Sequence, residues 1–265
     1  MLISDQLALA IAEIAHRAGA PIMEIYRGAI AVAEKADNSP VTLADQAAEK
    51  IILAALSKLL PNIPVLAEES ADLGQVFDED FILVDPLDGT KEFIQKRDDF
   101  TVNIALIAQG APILGAVYAP ARQMLYWGAR GLGAWRLPIA ADDPFDAAGK
   151  VAIETRAYPT AGLTAISSRS HADAETAAFL ARLPIAGAAN AGSSLKFCLV
   201  AAGEADVYPR FGPTMEWDIA AGQAVLEAAG GPVLAADGGP MRFGKAADRY
   251  RNGAFIAWGK TAITP

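Results

Sequence analysis

FILVDPLDGTKEF, residues 81–93, brings two carboxylates, Asp85 and Asp88, to the place where an apolar strand should stop and a helix should begin. Residues 81–84 are uninterrupted apolar and read as a strand buried on both faces. Two acids so close repel one another unless something positive lies between them. Pro86 stiffens the turn and leaves the Leu87 carbonyl free to point inward as a further oxygen donor. Gly89 allows the backbone to come close to a bound group, and Thr90 opens a helix whose free N–H groups favour an anion. One short turn thus offers hard-cation ligands and a phosphate seat. The same residues also read as an ordinary turn, with Asp88 capping a helix at Thr90.

Other acids fall at expected element boundaries. IPVLAEES (63–70) reads as a short strand delivering Glu68 and Glu69, and EWDIAAGQAV (216–225) places Asp218 at a helix start. KADNSPVTLAD (35–45) reads as a polar loop into a helix, with Thr42 as N-cap and Asp45 as the capping-box acid. Taken singly, Asp218 reads equally as an N-cap, Asp45 as a cap and Glu68 as a solvated strand end. Their joint occurrence at strand and helix ends, where layered α/β proteins keep their chemistry, favours a divalent metal site.

The surroundings fit an enzyme better than a binder of polymers. The chain has 265 residues, 53% of them apolar and 20% charged, which is enough for a large core and unlike a disordered segment. With 22 basic and 31 acidic residues the net charge is −9, which argues against nucleic acid as a partner. One cysteine, Cys198, excludes an internal disulfide, and no signal peptide is legible, so a cytoplasmic setting is expected. Near the start, Leu7, Ile11, Ile14, Ala18, Ile22 and Ile25 follow helical spacing, with a break or kink expected near Pro21. The segment carries Asp5, Glu13, His16 and Arg17, and no run reaches the roughly 18 apolar residues of a span, so membrane association is at most peripheral, on the cytoplasmic face.

The second helix should run to about Leu60 and stop at Pro61. A β-meander is expected over residues 100–137, and residues 138–150 are the best candidate linker. Beyond it, strands at 163–167, 185–189, 205–208 and 231–235 alternate with helices near 173–182, 193–202 and 218–229, an α/β pattern. No internal repeat is visible.

LVDPLDGT invites comparison with phosphatases whose strand ends in Asp-x-Asp-Gly-Thr. Their nucleophilic Asp would fall at position 86, which is proline here. Proline has no carboxylate, so attack by a metal-activated water is the remaining route.

LAEES, VDPLDGTKEF and EWDIAAG together resemble the signatures of the inositol monophosphatase superfamily of Mg²⁺-dependent, lithium-sensitive phosphatases. DFTVNIALI, PILGAVYAPA, SSRSHAD and GSSLKFCLVAAGEADVYPRFGPT are similar to its bisphosphate nucleotidase branch, and the likeness reaches from the first helix to about residue 235. The resemblance implies one phosphatase fold of layered αβαβα type. An N-terminal α+β part (1–140) would carry the metal site and a C-terminal α/β part (150–265) the nucleotide-recognition groups. Two or three Mg²⁺ ions would be held by Glu68, Asp85, the Leu87 carbonyl, Asp88 and Asp218. Glu68 would also hold the attacking water or a third ion, Asp45 and Thr90 would orient that water, and the N–H groups of Gly89 and Thr90 would hold the scissile phosphate. The substrate implied is adenosine 3′,5′-bisphosphate or its sulfated form, with a role in clearing a by-product of sulfate assimilation. Monomers and homodimers both occur among the relatives.

In the second half, Arg169 and His171, Ser193, Ser194 and Lys196, and Arg210 stand at expected element ends. A nucleotide with two phosphates needs such groups: one phosphate for the metals, the other for Lys196, Arg210 and the serines, with His171 close by. Each alone also reads as a solvated surface residue. Inositol phosphatases tend to have an acid near position 210 and lack the lysine of Gly-Ser-Ser-x-Lys, so the rival reading, an inositol-1-phosphate or sugar-phosphate phosphatase, is disfavoured. A non-catalytic metal-binding regulator is disfavoured by the presence of Asp45, Glu68 and Thr90. Met215 and Glu216 stand where the family pattern itself varies and are candidates to touch the base.

Overall fold

The computed structural model describes residues 3–30, 32–34, 40–77, 79–168 and 173–263. The chain begins with α1 (Asp5–Arg27), whose N-cap Ser4 accepts the Leu7 N–H. The helix runs through Pro21 without a break. Ala18 and Ile22 flank the proline and are fully buried, so packing carries the helix past the one hydrogen bond that proline cannot make. Strands β1 (Val32–Glu34) and β2 (Pro40–Thr42) pair antiparallel and lead into α2 (Leu43–Leu59), which has the expected Thr42–Asp45 capping box.

Next come β3 (Val65–Ala67), β4 (Phe81–Asp88), the five-residue α3 (Thr90–Ile94), β5 (Thr101–Ala108), β6 (Ala111–Ala119), β7 (Met124–Ala129), β8 (Gly133–Pro138) and β9 (Val151–Ile153). They form one sheet in the order β3-β4-β5-β6-β7-β8-β9, antiparallel except for the parallel β3/β4 pair. Residues 138–150, expected as a linker, lie against this sheet: Ile139 and Ala141 are buried, and Tyr118 donates its hydroxyl to the Ile139 carbonyl at 3.0 Å. The chain then returns as β9 to the edge of the same sheet.

The second half contains β10 (Leu163–Ser168), α4 (Ala174–Leu180), β11 (Ile185–Ala191), α5 (Leu195–Ala201), β12 (Val207–Arg210), β13 (Thr214–Met215), α6 (Glu216–Ala228), β14 (Val233–Ala235), β15 (Arg251–Asn252) and β16 (Phe255–Trp258). Its five-stranded sheet has the order β11-β10-β12-β16-β14. β16 was not expected, yet it lies inside the sheet, antiparallel to both neighbours.

Side-chain alternation shows the layers. On β5, Ile104 and Leu106 join the core shared with α1 and α2, whereas Ala105 and Ile107 join the core shared with α5 and α6. On β12, Tyr208 faces that same inner core and Val207 faces an outer one with Phe179 and Leu180 of α4. The order is therefore helices, sheet, helices, sheet, helix, the expected αβαβα sandwich. Gly115 and Gly128 are cross-strand partners beneath α6, where a Cβ at Gly115 would lie 2.4 Å from the Ala221 carbonyl. The paired glycines let α6 settle on the first sheet and fix where its N-terminus emerges. Among the described residues no helix is long and apolar enough to cross a membrane.

Candidate active site

The two acids of the opening stretch share a face because β4 carries a bulge. Asp85 pairs with Asn103, and Asp88 pairs with Thr101, so β4 has one more residue than β5 over this span. Three residues apart on a regular strand, the two carboxylates would point to opposite faces; the extra residue returns Asp88 to the face of Asp85. That face is also the one of Phe81 and Leu83, toward α5 and α6. The expected strand end is thus a bulged strand continuing to Asp88, and Gly89, at φ +93°, makes the corner into α3. A Cβ there would meet Ser193 Oγ at 2.3 Å, so the left-handed glycine also allows a close approach. Gly89, not Asp88, is the N-cap of α3.

Three elements bring acids to the bulge. Glu68 follows β3, the parallel neighbour of β4, and Asp218 lies in the first turn of α6. Glu68, Asp85 and Asp218 each offer a carboxylate oxygen within 4.8 Å of the others. Burial, then Glu68, Asp88 and Asp218, push Asp85 well above the usual carboxylate range. Burial, then Asp88 and Glu68, do the same to Asp218. Asp88 is pushed up to about 6, chiefly by burial, against the opposing pull of Lys196 and the Ser194 N–H. Acids crowded in this way hold protons unless a cation takes their place. The donor set, all oxygen and anionic, fits a hard divalent cation. The Leu87 N–H donates to Asp85 Oδ1 at 3.0 Å, and the Leu87 carbonyl lies 3.3 Å from Thr90 Oγ1.

Asp45 has both roles open to it. Its Oδ2 accepts from Thr42 N and Thr42 Oγ1, and its Oδ1 accepts from Thr90 Oγ1 at 3.2 Å. One turn further along α2, buried Glu49 accepts the Glu69 N–H at 2.9 Å and so holds the turn that presents Glu68.

The opposite wall comes from the second half. The cleft, about 310 Å³, is lined by the acids together with Lys196, Tyr208 and Arg210, and also by Lys91 and Thr214. Lys196 is buried, with its ammonium donating to the Ser193 carbonyl at 2.7 Å and standing 5.1 Å from the Tyr208 ring. Burial and Arg210 lower its pKa to about 8, although Asp88 opposes them. Arg210 ends β12 and is braced by the Gly212 and Pro213 carbonyls. Ser193 Oγ lies 2.8 Å from the carbonyls of both Asp88 and Asp99, and Ser194 Oγ donates to the Asp218 carbonyl. The hydroxyl protons of both serines are thereby committed to the protein. Arg169 and His171 lie outside the described residues.

Some neighbours of the site were not foreseen. Asn103 Nδ2 donates to Asp88 Oδ2 at 3.4 Å, and buried Asp99 pairs with Arg122 behind the Ser193 loop. Asn103 sits in an apolar strand run, and a polar residue there was the available signal. Glu216 is fully buried and does not line the cleft, which removes it as a base contact.

The model of the inositol monophosphatase family matches residues 4–259. The chain belongs to the inositol monophosphatase family. Within that family it is 47% identical over 223 residues to the 3′(2′),5′-bisphosphate nucleotidase CysQ of Escherichia coli O157:H7, covering 83% of this chain and 86% of that protein. The solved CysQ of Bacteroides thetaiotaomicron, a bacterial member of the family, superposes with a TM-score of 0.83 at 37% identity, over 99% of this chain and 100% of the other. An inositol monophosphatase from Anabaena (Nostoc) sp. PCC 7120 gives a TM-score of 0.73 at 30% identity, over 95% and 89%. The layered architecture is the inositol monophosphatase fold.

Proposed function

We propose that this chain is a Mg²⁺-dependent phosphatase that removes the 3′-phosphate of adenosine 3′,5′-bisphosphate, giving AMP and phosphate, and acts likewise on 3′-phosphoadenylyl sulfate. The observation that carries this reading is buried Lys196, set with Arg210 across one cleft from four carboxylates. A substrate with two phosphates fits both walls: one phosphate at the acids through a metal, the other at the cations. The names of the nucleotidase relatives support the same choice.

Glu68, Asp85, Asp88, Asp218 and the Leu87 carbonyl would hold two or three Mg²⁺ ions, and Li⁺ would compete at one of these positions. When bound, Mg²⁺ supplies positive charge to the phosphate oxygens and acidifies water. Glu68 holds the attacking water. Thr90 Oγ1 directs its proton to Asp45, so its lone pairs are available to accept a hydrogen bond from that water. The N–H groups of Gly89 and Thr90 seat the scissile phosphate. Attack is in line: the new P–O bond forms as the P–O3′ bond breaks, and phosphorus inverts. Water gives up one proton and the departing 3′-oxygen gains one. No acid stands at position 86 to form an aspartyl-phosphate. Lys196 and Arg210 hold the 5′-phosphate. Ser193 and Ser194 shape the loop that carries Lys196.

The Lys196→Ala variant tests the reading. It should lower kcat/KM for adenosine 3′,5′-bisphosphate by about 10²-fold, the scale of one buried charge-assisted contact, while inositol 1-phosphate turnover changes far less. Equal losses on both substrates would sink the nucleotide assignment.

A further inference from the structure

The start of α6, which presents Asp218, is held by a buried polar network from the C-terminal segment. Glu216 is fully buried and accepts from Gly244 N at 2.7 Å, Lys245 N at 3.0 Å and Lys245 Nζ at 2.6 Å. Lys245 Nζ also donates to Asn252 Oδ1 at 3.0 Å, and Asn252 Nδ2 donates to the Met215 carbonyl at 2.9 Å. The other side of that peptide is pinned as well, because Glu216 N donates to the Tyr250 carbonyl at 2.9 Å. Met215 then donates its own N–H to Asp218 Oδ2 at 2.8 Å.

This arrangement has a conformational cost. Arg249 and Tyr250 are consecutive non-glycine residues at φ +53° and +59°, a left-handed pair that disfavours side chains. Such backbone persists where the surroundings over-determine it, and it concentrates beside functional sites. Here the surroundings are the Glu216–Lys245 pair and the short β13/β15 ladder, which joins Thr214 to Asn252 and Met215 to Arg251. A simple helix N-terminus needs one cap. This one has a half-buried ion pair, a carboxamide and a second strand, all converging on the peptide next to an acid of the cleft.

We propose that Lys245 and Asn252 are positioning residues for Asp218. Acting through Glu216 and the Met215–Glu216 peptide, they fix which way the Asp218 carboxylate faces and so set the affinity of the cation it helps to hold. The inference rests on the metal reading of Asp218 given above. Partners of metal ligands one step removed commonly govern affinity in this way.

The test is a double-mutant cycle read by Mn²⁺ titration with electron paramagnetic resonance on folded protein, with thermal midpoints recorded alongside. Asn252→Ala should weaken Mn²⁺ binding by about tenfold in the wild-type background, the lower end of the range for such partners. In an Asp218→Asn background it should add less than about twofold, because the group it orients is gone. Lys245→Met gives the same cycle without touching the β13/β15 ladder and serves if Asn252→Ala does not fold. Full additivity in both cycles, or a lowered midpoint with unchanged Mn²⁺ binding, would overturn the proposal and leave the metal site standing. Unchanged binding in Asp218→Asn alone would overturn the metal role of Asp218, and this inference with it.

Discussion

Ser194, at the start of α5, donates its backbone N–H to Oδ2 of Asp88, 2.8 Å away at the end of β4 and 106 residues earlier in the chain. Ser193 adds a hydroxyl against the Asp88 carbonyl, so the second half of the chain grips this acid at both its side chain and its backbone. The cationic wall and the acidic wall of the cleft are therefore mechanically joined through one residue.

Asp88→Asn should keep the join and lose the charge. An amide oxygen still accepts the Ser194 N–H, and removing one of four crowded carboxylates relieves repulsion. We expect Mg²⁺-dependent kcat/KM to fall by about 10²–10³-fold, the scale of deleting one preorganised electrostatic group, with the metal-free thermal midpoint unchanged or raised. Near-normal activity in this variant would refute a metal role for Asp88.

Ser193 carries both strain and a bond, and two substitutions separate them. It is a non-glycine residue at φ +51°, in the left-handed region. Ser193→Ala loses the hydroxyl and keeps the strain, whereas Ser193→Gly loses the hydroxyl and relieves the strain. Both should lower turnover, and the glycine variant should be the more stable by about 1 kcal/mol, as measured by urea unfolding. An alanine variant as stable as the glycine one would show that the conformation costs nothing.

Acid stability should depend on a pair that does not line the cleft. Arg156 donates two hydrogen bonds, at 2.8 and 2.7 Å, to Asp206, whose side chain is fully buried. Burial alone would raise the Asp206 pKa, but the Arg156 and Thr164 hydrogen bonds outweigh it and hold it below the usual value. A depressed folded pKa means that the contribution is fully present above the unfolded value of about 3.9 and is lost as pH falls through the folded one. Arg156→Met should cost about 1–3 kcal/mol at neutral pH, a figure for hydrogen bonds to a charged group that includes a discount for the exposed guanidinium. The gap between wild type and variant should hold down to about pH 4 and close below it. A gap that widened as pH fell would contradict the assignment.

The opening stretch was legible as chemistry and misread as geometry. Asp85, Leu87, Asp88 and Gly89 were picked out by residue type, yet the bulge that places both acids on one face depends on pairing with Thr101 and Asn103, which a local reading does not supply. The capping box at Thr42 and Asp45 was legible because it is local, and the meander because its strands alternate with clear turn residues. β16 was missed although Phe255–Trp258 is a short apolar run between glycines, since four residues carry little periodicity. The continuity of α1 across Pro21 was set by burial of Ala18 and Ile22, a tertiary effect that overrides local preference. Glu49 and Asp99 carry no local signal of burial and Glu216 reads as a base contact; only contacts between distant segments bury all three.

Steady-state phosphate release by the wild-type protein with Mg²⁺, from adenosine 3′,5′-bisphosphate and from inositol 1-phosphate side by side, decides between nucleotide and inositol chemistry at this cleft. We expect kcat/KM for the nucleotide to exceed that for the inositol ester by at least about 10²-fold, because the inositol ester brings no second phosphate to Lys196 and Arg210. Equal values, or a preference for inositol 1-phosphate, would contradict the assignment of the cationic wall to a second phosphate.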